Sequence, residues 1–259
     1  ITIEGAERAR IERVMPRRSS LARGTGDASR RESQLQTHLL AANIDQVIVV
    51  SSASEPPFRP RLIDRYLVAA SRDGLPALLC VNKVDLGLSN ESEEFLKGYT
   101  GLGINVLLTS TVSGKGIESF LRVVMGKKSL LTGHSGVGKS SLLNAIEPGL
   151  ARRVNSVTQT TAGRGKGTHT TTTSRLVPLS TPDTFLVDTP GIRSFGIIGL
   201  APRDLAAHFP DIARLAASCF FRDCLHDCEQ GCALPSASLE SPFLKARWTS
   251  YRRLLGELH

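Results

Sequence analysis

The chain has 259 residues, room for one large domain or two to three small ones. Hydrophobic residues make up 41%, which excludes a disordered chain, and no run approaches the roughly eighteen apolar residues of a membrane-spanning helix. A net charge of +8 and a pI of about 9.6 favour a polyanionic partner, nucleic acid before membrane.

Residues 1–23 alternate apolar and charged positions (Ala9, Ile11, Val14) and reach the basic stretch Met15-Pro16-Arg17-Arg18, a pattern that fits the last strands of a small β-barrel. Residues 24–36 are rich in Gly, Ser, Thr, Asp and Arg and have linker composition. From Ala41 the pattern is α/β. Val47-Ile48-Val49-Val50 is a buried strand, and Arg61 to Ser71 has helical spacing. Ala77 to Val81 and Val106 to Thr109 are further strands, and Ile117 to Val124 is a helix. Ser129 to Thr132 is a strand feeding a glycine-rich loop, Ser140 to Ile146 the helix after it, and Phe185 to Val187 a strand ending at Asp188. Such alternation predicts a mostly parallel sheet with helices on both faces. Beyond residue 200 the strand signal stops. Asp204 to Ala217 has a helical period. Pro242 to Leu258 reads as an amphipathic helix burying Leu244, Trp248, Tyr251, Leu255 and Leu258.

Gly133-His134-Ser135-Gly136-Val137-Gly138-Lys139-Ser140 fits a P-loop, with a strand before it and a helix after it. Its backbone N–H groups, at a helix N-terminus, suit phosphate oxygens. Lys139 would reach the β and γ phosphates, and the Ser140 hydroxyl would ligate Mg²⁺. Asp188-Thr189-Pro190-Gly191 follows a hydrophobic strand. Asp188 can hold Mg²⁺ through water, and the Gly191 N–H can meet a γ-phosphate. Asn82-Lys83-Val84-Asp85 supplies a carboxylate, Asp85, able to accept the N1–H and N2–H of guanine, which adenine does not offer. Lys83 can lie along the base or brace the P-loop, and Asn82 can tie loops together. The backbone of Thr109-Ser110-Thr111 is a candidate brace for the base. Asn-Lys-x-Asp comes before the P-loop here, the reverse of an ordinary GTPase, so the domain reads as circularly permuted.

Residues 148–182 contain no Asp or Glu but carry Arg152, Arg153, Arg164, Lys166 and Arg175. The segment reads as a switch whose Thr170 or Thr171 reaches Mg²⁺ when the γ-phosphate is present, and its charge suits a phosphate backbone. Ile192 stands where Ras-like enzymes place a water-orienting Gln, so His169 becomes the candidate for positioning water. Slow intrinsic turnover, raised by a partner, is expected.

Cys80 sits in an apolar run as a core residue. Cys219-x4-Cys224-x-His226-x5-Cys232 supplies three thiolates and an imidazole, a closed structural Zn²⁺ set, with Cys228 a fifth candidate ligand. With no recognisable secretory leader, the cluster reads as metal ligands in a reducing compartment.

These motifs together, with Gly-x-His-Thr-Thr at 167–171 and Ala42-Asn43-Ile44-Asp45-Gln46 before the first strand, resemble the small ribosomal subunit biogenesis GTPases, the RsgA family. The resemblance implies an N-terminal OB-fold, here shortened to 1–36, a permuted GTPase domain over 37–200 and a C-terminal zinc-binding helical domain over 201–259. It implies GTP hydrolysis stimulated by the 30S ribosomal subunit and late maturation around 16S rRNA, by a cytoplasmic monomer with no membrane contact. The family's nucleotide residues carry over to Asn82, Lys83, Asp85 and Gly133 through Ser141, and its zinc residues to Cys219, Cys224, His226 and Cys232. Two other readings compete: a signalling or transport GTPase without RNA, and a zinc-bearing nucleic-acid-binding module with GTP as a ligand only.

Overall fold

The computed structural model describes residues 2–3, 9–10, 12–25, 36–148, 175–188, 197, 199–227 and 229–258. Its centre is a six-stranded sheet in the order β7-β6-β5-β8-β10-β9. These strands are β5 (Gln46–Ser52), β6 (Ala77–Asn82), β7 (Asn105–Leu108), β8 (Lys128–Thr132), β9 (Arg175–Pro178) and β10 (Phe185–Asp188). All neighbours pair in parallel except β9, which runs antiparallel on the edge beside β10. Strand order runs outward from β5 through β6 to β7, then jumps back across β5 to β8. That reversal is a topological switch point, where open α/β sheets bind ligands beyond the carboxyl ends of their strands.

Every residue of β5 is buried. Successive side chains alternate between two cores, as a strand covered on both faces requires. Val47, Val49, Leu79, Val81, Leu130 and Val187 face α1 (Pro60–Arg72) and α2 (Asn90–Gly101). Ile48, Val50, Leu78, Cys80, Leu131 and Leu186 face α3 (Ile117–Val124) and α4 (Lys139–Ile146). Burial pushes the Cys80 thiol up to about 12, against the pull of the Thr109 hydroxyl, so it behaves as a small apolar core residue. The sequence reading did not single out α2. Its start is nonetheless marked by Ser89, whose hydroxyl accepts the Ser92 N–H at 3.1 Å, and by Glu91 and Glu93 in the first turn.

Two small sheets precede this core. Thr2–Ile3 (β1) pairs antiparallel with Ala9–Arg10 (β2), and Ser20–Thr25 (β3) with Gln36–Ala42 (β4). β3 takes in Gly24 and Thr25 of the expected linker, and β4 begins at its last residue, Gln36, and continues to Ala42, past the expected boundary at 36/37. It is attached to the central domain by Leu21 in the core and by the Arg72 guanidinium, which donates to the Ala22 carbonyl at 3.1 Å.

Beyond the sheet, the period read as one helix over Asp204 to Ala217 divides into a 3-10 turn, Pro202–His208, and a helix, Pro210–Ala216. Phe209 is extended between them (φ −122°, ψ 92°), as a residue before proline prefers. The last helix, Pro242–Leu258, lies against α1 and α2. Its Phe243 ring meets Phe95 and Tyr99 edge-on, at centroid distances of 5.7 and 5.4 Å. Its Arg247 is 2% exposed and serves two buried carboxylates. Nε and Nη2 donate to Asp211 at 2.9 and 3.0 Å, while Nη1 donates to Asp64 of α1. Burial alone would loosen the guanidinium proton; Asp64 and Asp211 reverse that and hold Arg247 above its ordinary value. Among the described residues no helix is long and apolar enough to cross a membrane.

Removing one member of a buried ion cluster strands the others without compensation, at a cost of about 3–5 kcal/mol. Arg247→Met is therefore expected to lower the unfolding free energy by that order, read as a lower urea midpoint, because two carboxylates stay buried. A midpoint equal to wild type would show that the cluster does not hold the last helix to α1.

Candidate functional site

The nucleotide motifs lie together on the carboxyl edge of the sheet. β8 runs directly into Gly133, and α4 begins at Lys139. β6 ends at Asn82 and passes into a 3-10 turn over Val84–Leu86, with Lys83 in the left-handed region (φ 61°). Asp188 ends β10 opposite Leu131 of β8.

Asn82 joins the two motifs. Its side chain is fully buried, and Nδ2 donates to the Val137 carbonyl of the glycine-rich loop at 3.1 Å. The Thr109 hydroxyl donates to Asn82 Oδ1 at 3.2 Å, which fixes the orientation of the amide. Gly138 follows with φ 94°, and a Cβ there would stand 2.3 Å from Asn82 Nδ2. Only glycine accommodates both that backbone conformation and that contact.

The buried Lys139 folds into the loop, where Nζ donates to the carbonyls of Gly133 (2.9 Å) and His134 (3.0 Å). His134 turns its own Nδ1 to the Ser135 carbonyl at 2.7 Å. Ser140 and Ser141 are exposed in the first turn of α4. Lys83 Nζ donates to the Glu55 carbonyl at 2.7 Å, drawing the segment after β5 against the motif. Asp85 is exposed, with one carboxylate oxygen held by the Ser110 hydroxyl. That hydroxyl also accepts the Val112 and Ser113 N–H groups at 3.2 and 3.1 Å, so its single proton is directed at Asp85. The sequence pointed to the backbone of Thr109-Ser110-Thr111. The Thr109 and Ser110 side chains each fix one residue of Asn-Lys-x-Asp, and the Thr109 carbonyl accepts the Val84 N–H of the same motif at 3.2 Å. A hydroxyl on both residues after a strand was the available signal. Thr171, His169 and Gly191 lie outside the described residues, as do most of 148–182 and the Asp188 side chain.

Cys219, Cys224, His226 and Cys232 also converge, their ligand atoms all lying within 4.8 Å of one another. Cys219 Sγ is 3.4 Å from His226 Nδ1, and Cys232 Sγ is 3.9 Å from both Cys219 Sγ and His226 Nδ1. A tetrahedron with Zn–S near 2.3 Å has S···S edges of about 3.8 Å, so the donor set fits Zn²⁺ with Nδ1 as the imidazole ligand. Burial pushes the Cys224 thiol up to about 12 and raises Cys232 too, so metal loading must displace protons. Cys228 lies outside the described residues.

The loop between the ligands is tied to the last helix. Trp248 Nε1 donates to the His226 carbonyl and the Tyr251 hydroxyl to the Leu225 carbonyl, both at 2.7 Å. Glu229 accepts the Leu225 and Asp227 N–H groups at 2.7 and 2.9 Å. Burial opposes its charge, but these bonds outweigh burial and lower its pKa.

Sheet order, motif order and loop contacts define the class: a circularly permuted GTPase with a Cys3His cluster compatible with a zinc site. A family model described as RsgA GTPase matches residues 14–198. A small ribosomal subunit biogenesis GTPase RsgA from Chlorobaculum parvum is 39% identical over 249 residues, covering 96% of this chain and 78% of that protein. Its namesake in Gemmatimonas aurantiaca is 38% identical over 253 residues, with coverage of 98% and 80%. Among solved structures, YjeQ from Thermotoga maritima aligns with a TM-score of 0.69 at 30% identity, covering 95% of this chain and 77% of that one. YloQ, described as a circularly permuted GTPase, aligns with a TM-score of 0.64 at 26% identity, covering 96% and 83%. The chain belongs to the RsgA GTPase family.

Trp248 is the chain's single tryptophan and donates into the Cys3His loop, so it reports on that loop. Removing bound zinc with a chelator is expected to shift Trp248 emission to the red and open 219–232 to proteolysis. Loss of zinc with unchanged emission and unchanged cleavage would contradict the structural role of the metal.

Proposed function

We propose that this GTPase acts in maturation of the small ribosomal subunit, hydrolysing GTP to GDP and phosphate with turnover raised by the subunit. The observation that supports the reading is the Asn82 bond to Val137, which ties the Asn-Lys-x-Asp turn to the glycine-rich loop at the carboxyl edge of the sheet. Asp85, held by Ser110, accepts the two guanine N–H groups, and Lys83 covers the base. The backbone of Gly133 to Ser141 and the Lys139 ammonium hold the phosphates. Ser140 and Thr171 ligate Mg²⁺, Asp188 holds it through water, and the Gly191 N–H meets the γ-phosphate. His169 positions the attacking water. A structural Zn²⁺ sits on Cys219, Cys224, His226 and Cys232.

The working division is 1–36 as a partial OB-fold and linker, 37–200 as the permuted GTPase domain, and 201–259 as the zinc-binding domain. The partner is the 30S subunit with its 16S rRNA, met by a monomer in the cytoplasm. Relatives named for small-subunit biogenesis support the partner. So does the charge distribution, since residues 148–182 carry basic residues and no acidic ones.

GTP hydrolysis measured with and without purified 30S subunits across a salt series tests this. Turnover is expected to rise at least about tenfold with subunits, and the stimulation to fade steeply with salt as phosphate contacts are screened. Equal turnover with and without subunits at every salt would refute the ribosomal reading and leave a GTPase of another kind.

A further inference from the structure

The glycine-rich loop lies between β8 and α4, and the far ends of both elements are fastened to one turn, 179–184, between β9 and β10. At the β8 end, Thr184 Oγ1 accepts the Gly126 N–H at 2.9 Å and donates to the Pro182 carbonyl at 3.0 Å. The Phe185 N–H donates to the Lys127 carbonyl at 2.9 Å. At the α4 end stands Glu147, the residue that caps the helix and is 8% exposed. Its Oε2 accepts the Ser180 N–H at 3.0 Å, and its Oε1 accepts the Ser180 hydroxyl at 2.6 Å. The turn is closed on itself by the Leu179 N–H, which donates to the Thr184 carbonyl at 3.0 Å. Val177, Leu179 and Leu186 of this hairpin share one core with Val137, Leu142 and Leu143.

Two bonds from one residue to one carboxylate fix orientation as well as distance, and bonds to a charged acceptor are the stronger kind. From this clamp two stiff levers run back to the carboxyl edge of the sheet. α4 rises roughly 12 Å over its eight residues and carries Ser140 in its first turn. β10 rises about 13 Å over its four residues and ends at Asp188. Levers of equal length, joined at their base, bring Ser140 and Asp188 to one level. A slide at the base moves one against the other by the same amount. Mg²⁺ accepts little of that, because its octahedral ligand distances are short and strict.

We propose that Glu147 is a positioning residue for the Mg²⁺ site, its clamp on Ser180 setting where β10 delivers Asp188 relative to Ser140. This rests on the Mg²⁺ assignments of the functional reading above. The test follows release of a fluorescent GDP from the full chain as Mg²⁺ is titrated. Mg²⁺ is expected to slow release from wild type. Glu147→Ala should need about tenfold more Mg²⁺ for the same slowing, with release in chelator equal to wild type. Glu147→Gln should stay near wild type, since its amide oxygen accepts the Ser180 N–H and its NH₂ donates to Ser180 Oγ. Ser180→Ala loses the hydroxyl bond and keeps the N–H bond, so it should shift less in the same direction, and it carries the test if Glu147→Ala does not fold. Val177→Ala opens the same core without touching the clamp and should lower stability without changing the Mg²⁺ requirement. A folded Glu147→Ala or Ser180→Ala with the wild-type requirement overturns the proposal, as does a Val177→Ala shift equal to that of Glu147→Ala. Wild-type release indifferent to Mg²⁺ overturns the Mg²⁺ assignments and the proposal together.

Discussion

One side-chain amide carries the architecture of the nucleotide edge. Asn82 ends β6, and its Nδ2 reaches the Val137 carbonyl across 55 positions of sequence. Without that bond the two loops would share a sheet edge but no fixed distance. The contact imposes glycine at 138, whose missing Cβ makes the space for the amide. It also calls for Thr109, which fixes which way the amide faces. Permutation leaves this arrangement untouched, because what matters is the spatial order of β6, β5 and β8, not the order in which the chain visits them.

A second constraint joins the edge to the rest of the molecule through α1. The segment before this helix is drawn to Lys83 by the Glu55 carbonyl. The helix itself gives Asp64 to Arg247 and Val68 to the core of the C-terminal region, and its end holds the β3 hairpin through Arg72. The last helix then bridges outward: Arg247 on its buried face looks to α1 and Asp211, while Trp248 and Tyr251 grip the Cys3His loop. The Cys3His region is thus held against α1 by a buried charge as well as by apolar burial. A buried ion cluster adds little net stability, but losing one partner leaves the others buried without compensation.

Sequence alone made the nucleotide edge legible because each motif is local and its neighbours have clear periodicity. Ile117–Val124 and Pro242–Leu258 were placed by the same logic. Long-range polar contacts were not legible. Hydrophobic spacing puts Leu244, Trp248, Tyr251, Leu255 and Leu258 on the buried face of the last helix; the structure buries Tyr251 and Leu255, packs half-buried Trp248 and Leu258 against the same core, and adds Arg247, Ser250 and Leu254 to the buried face. No periodicity rule anticipates a buried arginine whose carboxylates lie 183 and 36 residues away. The edge strand Arg175–Pro178 was absorbed into the switch reading because it is short and ends in proline, which sheets accept only at an edge. The Ser110 to Asp85 bond spans 25 residues and becomes visible only when β6 and β7 are set side by side.

Titration calorimetry with GDP, ADP and XDP on wild type and Asp85→Asn measures the central assignment most directly. The account predicts GDP binding with no measurable ADP binding by wild type, and a shift of preference from GDP to XDP in the variant. Equal uptake of ADP and GDP by well-folded wild type, or a variant that still prefers GDP, would contradict it.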